Sequence, residues 1–185
     1  MLATLFGKKK LTEEKLANVF VNSLVQSVMT SFGDVVDSIV SDPEFERTPK
    51  MNNDDFDKFL IITLCGNLSS LSRYFSNTEE MVLKGKIITK FAKVYGITYE
   101  EMNTIVKDYT EFIYRENYPS KNILYGMSKA VFHKYDLGQY QDEYFAQLNA
   151  PNPIFLKRMD GIMENYLWDW NAFLDKYKFS PVEQY

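Results

Sequence analysis

Thiol and imidazole side chains are nearly absent from this sequence. Its 185 residues include one cysteine, Cys65, and one histidine, His133. A single cysteine excludes an internal disulfide framework, and a single histidine excludes a zinc site built on several histidines and the paired motifs of di-iron bundles. Because Cys65 lies in an apolar run, we expect a buried, inert thiol. We expect His133 to be a surface or half-buried side chain rather than a metal ligand shared with Asp136.

Glycine-rich phosphate loops, excess positive charge and a signal-peptide pattern are also missing. Neither of the two common phosphate-binding glycine patterns occurs. The net charge of −4 argues against a general nucleic-acid binder, which normally has a strongly basic face. The N-terminal lysines follow a short apolar run, the reverse of the order in a signal peptide. The sequence therefore predicts a soluble, cytoplasmic protein, and it assigns no catalytic residue, no metal, no cofactor and no nucleic-acid partner.

One long stretch, Leu16 to Gly33, contains no charged residue at all. A membrane span is not predicted, because the stretch includes several amides and hydroxyls whose burial in hydrocarbon is costly. The apolar residues recur at helical spacing and predict a helix that is buried on most sides and ends at Gly33. Asn18, Asn22 and Gln26 form a polar stripe on this helix. We expect the stripe to find partners inside the fold or to face a second subunit.

The abundant features are aromatic residues, with 13 tyrosines and 14 phenylalanines, and apolar residues at steps of three and four. The clearest such segment runs from Asn152 to Lys178. Asn152 and Pro153 are a typical helix start, and the periodic residues predict one long helix. Capping patterns from Asn77 to Glu80 and from Thr98 to Glu101 predict the starts of two further helices. The sequence as a whole predicts an all-α, single-domain helical bundle of about seven or eight helices packed on this long C-terminal helix. The predicted boundaries are a flexible N-terminal tail over residues 1–11, one all-helical domain over residues 12–179 and a C-terminal tail over residues 180–185.

Two groups of residues are candidates for contact with a partner. On a single C-terminal helix, a second seam opposite the main apolar stripe would contain Ile154, Gly161, Trp168 and Ala172. This seam is either a packing surface for another helix or an exposed site in which Trp168 anchors a partner. Elsewhere, one helix face carries Lys86, Lys90 and Lys93. These lysines either form an ordinary solvated face or bind an anionic partner.

By elimination, the sequence favours a non-catalytic helical module that acts through protein–protein contacts as an adaptor or scaffold and can self-associate. The alternative is a helical bundle that binds an apolar or aromatic small molecule in an internal pocket. An enzyme that uses only carboxylates ranks third; Asp160 and Glu164, four residues apart, are the pair considered for it. An interaction protein should expose an apolar groove or patch to solvent, whereas a ligand binder should enclose a cavity with a few convergent polar groups.

Overall fold

A computed structural model of the chain describes residues 8–179. Among these residues there are eight α-helices and two short strands, and the predicted all-α bundle is confirmed. The helices are α1 (Glu13–Val40), α2 (Asp57–Ser70), α3 (Asn77–Tyr95), α4 (Tyr99–Asn117), α5 (Ile123–Lys134), α6 (Glu143–Gln147), α7 (Pro153–Glu164) and α8 (Trp170–Lys176), and the strands are β1 (Lys9–Leu11) and β2 (Tyr177–Phe179). Short 3₁₀ turns follow α2 at Leu71–Arg73 and α5 at Leu137–Tyr140.

The described chain divides into two compact units. The first contains residues up to 23, 70–104 and from 168 onward. Its core is rich in aromatic rings: Trp170 is 1% exposed, stacks on Phe20 at 5.6 Å between ring centroids and meets Phe75 edge-on at 5.3 Å. Strands β1 and β2 pair in parallel within this unit. Residues 9–11, which the sequence places in the N-terminal tail, thus form a strand, and the rest of both predicted tails lies mainly outside the described residues.

The second unit contains residues 24–69 and 105–167. Helices α5 and α7 pack against each other in it. Its core includes Phe32 and Phe59, whose ring centroids lie 5.5 Å apart, and Tyr166, which meets Phe59 edge-on at 4.9 Å. Cys65 is fully buried, as the apolar run predicts, and its thiol lies 3.6 Å from the carbonyl oxygen of Val106.

The helix caps follow the sequence closely. Thr98 and Glu101 form the predicted capping box of α4, in which the Thr98 N–H donates to the Glu101 carboxylate at 2.8 Å and the Glu101 N–H donates to the Thr98 hydroxyl at 3.2 Å. Helix α3 has the same device at Ser76 and Glu79, one residue earlier than the pattern predicts, and ends at Gly96 with a positive φ of 65°. These caps satisfy backbone N–H groups that have no partner inside the helix.

The prediction that Gly33 ends the first helix is wrong. Helix α1 continues to Val40 without interruption. Glycine inside a helix costs only about 1 kcal/mol relative to alanine. The apolar rhythm resumes on both sides of Gly33, with Phe32, Val35 and Val36 all buried. Burial of these side chains outweighs the cost of the glycine, so the helix is one element.

The prediction of one long helix from Asn152 to Lys178 is also wrong. Helix α7 ends at Glu164, and α8 begins at Trp170. The carbonyl of Tyr166, which would accept an N–H bond in a continuous helix, accepts one from the buried Asn67 side chain at 2.8 Å instead. Asp169 then caps α8 by accepting the Ala172 N–H at 2.9 Å. A side-chain amide from α2 and a local aspartate cap therefore replace the helical bonds that the periodicity predicts.

Candidate functional site

The uncharged side of α1 faces solvent, contrary to the prediction of a helix buried on most sides. Asn18, Asn22 and Gln26 are all exposed, and their side-chain amides form no hydrogen bond within the described chain. Only 39% of the most apolar 18-residue stretch of α1 is buried. In the absence of charges, the sequence did not show which side of the helix faces the core. The buried side carries the large apolar residues, and the amides remain available.

The exposed side of α1 forms one continuous surface, which we call the α1 outer face. At about 100° per residue, its members cover roughly a third of the helix circumference. Two of them are apolar, Val19 and Met29, with exposures of 42% and 58%. The residues of the α1 outer face are Asn18, Val19, Asn22, Gln26, Met29, Thr30 and Gly33.

Charges of opposite sign flank the α1 outer face: Lys15 precedes it, and Asp34 and Asp37, both exposed, follow it. Lys15 lies one helix position before the uncharged stretch, and Asp37 lies one turn after it. Both side chains are exposed, and neither forms an ion pair within the described part of the chain. By contrast, the neighbouring Glu14 is paired with Lys90 at 2.5 Å and with Lys86 at 3.5 Å. Lys15 and Asp37 are therefore free to meet charges on another molecule.

Two of the three lysines predicted as a binding stripe are already engaged. Lys86 and Lys90 both contact Glu14, and the hydrogen bond from Lys90 holds the pKa of the Glu14 carboxyl below its usual value. The Lys90 side chain is only 13% exposed, so its charge is directed toward this pair. Lys93 is exposed. Binding of an anionic partner by the three lysines stays a prediction. Such a partner would have to compete with Glu14 for Lys86 and Lys90.

The predicted seam of Ile154, Gly161, Trp168 and Ala172 does not exist as one helix face, because α7 ends before Trp168. Ile154 is 54% exposed. A Cβ added at Gly161 would meet nothing within 4 Å among the described residues, so no helix packs closely over this glycine. Ala172 is exposed near the start of α8. The packing argument for this seam therefore fails, and a partner contact at these residues stays a prediction.

Trp168 is partly buried in the aromatic core of the first unit. Its ring lies 5.5 Å from Phe20 in an edge-to-face arrangement, 6.0 Å from Trp170 and 5.7 Å from Phe173, measured between centroids. Aromatic pairs in this range stabilise a fold beyond the area they bury. The contacts support a structural role for Trp168. They leave part of its surface accessible, so the alternative as a partner anchor is still a prediction.

A cleft between α5, α6 and α7 lies in the second unit and has a volume of about 370 Å³. One wall is aromatic and apolar, and Tyr144 and Leu148 on its rim are 67% and 57% exposed. Lys129 and Lys157 also line the cleft. Its lining residues are Tyr125, Lys129, Tyr144, Phe145, Leu148, Ala150, Pro151, Pro153, Leu156, Lys157 and Asp160. Sequence analysis did not locate this cleft, although its tyrosines and two closely spaced prolines are visible in the sequence.

Asp160 is the only carboxylate among the residues that line this cleft. The hydroxyl of Ser128, which is fully buried, donates a hydrogen bond to its Oδ1 at 2.5 Å. Partial burial raises the pKa of the Asp160 carboxyl, and the Ser128 bond partly offsets that effect. Glu164, the proposed carboxylate partner of Asp160, is exposed near the end of α7. The two acids therefore occupy different environments, and only Asp160 belongs to a cleft.

His133 lies half-buried near Glu116, with 3.4 Å between Nε2 and a carboxylate oxygen. Burial lowers the pKa of the imidazole, and Glu116 partly offsets the effect. No group of three or more histidine, cysteine, aspartate or glutamate side chains suited to hold a metal occurs within the described residues. The half-buried environment agrees with the structural interpretation of His133.

By length and composition, α1 is the helix of the described chain that could cross a membrane, a property that core helices of soluble proteins share. Comparisons with known proteins add no assignment: no family model, no curated protein and no solved structure matches the chain.

Proposed function

We propose that this protein is a non-catalytic helical interaction module that associates with a second copy of itself through the α1 outer face. One observation carries the proposal: α1 exposes an uncharged side about 24 Å long, from Asn18 to Gly33. A second copy carries the same charges as the first. A surface for self-association must therefore avoid placing like charges together, and the α1 outer face contains none.

The two end charges favour an antiparallel arrangement of the two α1 helices. In a twofold-symmetric pair, each contact occurs twice with the residues exchanged. Placing Lys15 of one copy beside Asp37 of the other creates two ion pairs, one at each end of the contact. The same register puts Gln26 opposite itself and Asn22 opposite Thr30. Amide side chains both donate and accept hydrogen bonds, so Gln26 can pair with its own copy across the axis.

The same register also matches the sizes of the remaining side chains. Val19 of one copy falls opposite the half-buried Gly33 of the other, and Met29 falls opposite Ser23, which is exposed beside the α1 outer face. A large side chain therefore meets a small one at each of these positions, which is the condition for close helix packing. A contact limited to about 33 Å of one helix buries less surface area than a standard stable interface. We expect a reversible dimer with a dissociation constant in the micromolar range.

A membrane is the main competing environment for α1, and the observations favour a second copy. The large apolar side chains of α1, such as Phe20, Val28 and Phe32, are buried in the fold. The exposed side carries amides and hydroxyls, whose transfer into hydrocarbon is costly. A polar, self-complementary surface suits another protein better than lipid. With its one cysteine buried, the protein is proposed to act in the cytoplasm.

Sedimentation equilibrium over a range of concentrations tests this function. We expect the apparent mass of the wild type to rise from one chain toward two. Gln26→Glu places two like charges on the proposed axis and should abolish the rise, whereas Asn103→Glu, at an exposed site on α4, should leave it unchanged. A wild type that stays monomeric at every concentration contradicts self-association. Binding to lipid vesicles that Gln26→Glu removes would instead identify a membrane surface.

A charge exchange tests the register. Lys15→Glu or Asp37→Lys alone should weaken the dimer, because each brings like charges together at both ends. The double variant restores opposite charges and should recover most of the affinity. If the double variant is as weak as the sum of the single variants, the antiparallel register is wrong, although another mode of self-association would survive.

A further inference from the structure

We propose that the cleft between α5, α6 and α7 binds a small organic anion: a carboxylate on an aromatic or branched aliphatic body. This site is separate from the α1 outer face, and a monomeric protein would keep it. The volume of about 370 Å³ lies at the lower end of the range for small-molecule sites. The cleft therefore suits a ligand of one ring or a short branched chain, and it is too small for a long-chain lipid.

The body of the ligand is specified by the apolar wall. Tyr125, Phe145 and Leu156 line the cleft, and Tyr144 and Leu148 stand exposed at its edge. Exposed aromatic and aliphatic side chains around a concave surface gain free energy when a ligand displaces their water. The neighbouring prolines restrict the backbone of the α6–α7 link. The wall is thus partly preorganised, which lowers the entropy cost of binding.

The charge of the ligand is specified by two lysines. No carboxylate lies within 4 Å of the ammonium group of Lys129 or Lys157 in the described chain, and Lys129 instead lies over the Tyr125 ring at 4.9 Å. The one carboxylate in the cleft, Asp160, accepts a hydrogen bond from Ser128. The cleft therefore has two cations that lack an ion pair and one carboxylate, an excess of one positive charge. A carboxylate near Lys129 and Lys157 would balance this excess.

Binding of 3-phenylpropionate, measured by calorimetry and by amide chemical shifts, tests the site. We expect saturable binding that weakens with added salt and shifts signals from α5, α6 and α7. The uncharged analogue 3-phenylpropanol should bind at least about fivefold more weakly, because it lacks the group that meets the lysines. No saturable binding of phenylpropionate, or shifts confined to other helices, would overturn the proposal. So would binding of acidic aromatic peptides alone, which would indicate a peptide groove.

Variants of the half-buried Lys129 and of the exposed Lys157, Tyr144 and Leu148 separate the two parts of the site. Lys129→Gln with Lys157→Gln should lower the affinity for phenylpropionate at least roughly fivefold, and Lys50→Gln, at an exposed site away from the cleft, should not change it. Tyr144→Ala with Leu148→Ala should weaken both phenylpropionate and phenylpropanol. Unchanged affinity in the double lysine variant would refute the proposal.

The Asp160→Asn variant tests whether the ligand of the cleft is negatively or positively charged. Asparagine can still accept the Ser128 hydrogen bond, so the local structure should persist. Removing the negative charge should raise the affinity for phenylpropionate by roughly fivefold. A fall in affinity would contradict an anionic ligand and would show that the cleft prefers a cation at Asp160.

Discussion

At the scale of single residues, substitution of Trp168 tests whether its side chain stabilises the core. Its indole lies among Phe20, Trp170 and Phe173 and is partly accessible. We expect Trp168→Ala to lower the free energy of unfolding by about 3 kcal/mol. The matched control is Ile154→Ala, at a side chain that is 54% exposed, which should change stability by less than about 0.5 kcal/mol. Chemical denaturation measures both, and equal effects would remove Trp168 from the core.

Substitution by alanine should have opposite effects on stability at two glycines, Gly126 and Gly161. A Cβ at Gly126 would lie 2.9 Å from the backbone oxygen of Ile113, because α5 approaches α4 closely there. We expect Gly126→Ala to cost about 1–3 kcal/mol of stability. Gly161, in α7, has open space where its Cβ would be, and Gly161→Ala should raise stability by up to about 1 kcal/mol. Thermal unfolding of both variants checks the difference, and effects of the same sign would contradict the packing at α4 and α5.

The ion pair of Glu14 predicts a dependence on pH. Because Lys90 holds the pKa of this carboxyl below its usual value, the pair stabilises the folded state above the unfolded pKa of glutamate, about 4.3. That stability is lost as the pH falls through the lower, folded pKa. Glu14 is 52% exposed, so Glu14→Gln should cost only about 0.5 kcal/mol near neutral pH. The difference between wild type and variant should vanish in acid, and a difference that grows there would reverse the assignment.

At the scale of elements, α7 is fixed to the segment after α1 by a partly buried ion pair. Arg158 donates two hydrogen bonds to Asp42, at 2.7 and 2.6 Å, and the Asp42 side chain is 5% exposed. Arg158→Ala would leave this carboxylate buried without its cation and should cost about 2–4 kcal/mol. Lys107→Ala, which removes an exposed pair with Glu111 at 3.9 Å, should cost less than about 0.5 kcal/mol. Urea denaturation should separate the two variants, and equal costs would show that the Arg158 pair contributes little.

The elements also show which features the sequence could predict. The cap of α4 at Thr98 and Glu101 was predictable because both partners lie within one turn. The break after α7 was not, because the amide that takes the Tyr166 carbonyl comes from Asn67, 99 residues away in the chain. The exposed side of α1 was missed for another reason. A helix without charges gives a period but does not show which side is in water.

At the scale of the whole molecule, the proposed self-association uses the α1 outer face, which no other part of the described chain covers. The sequence predicted that Asn18, Asn22 and Gln26 would meet partners in the fold or face a second subunit, and the first of these is now excluded within the described chain. The sequence shows that Lys15 and Asp37 are charged. It does not show that they lack ion-pair partners, because that depends on which neighbouring charges, such as Glu14, are already paired.

Disulfide trapping of Gln26→Cys tests the central claim most directly. Cys65 is buried and should not react. In the antiparallel dimer, residue 26 lies on the twofold axis, close enough to its own copy for a disulfide. We predict rapid formation of a covalent dimer under mild oxidation, and little or none from Asn103→Cys on α4. Equal, slow cross-linking of both variants would contradict self-association through the α1 outer face.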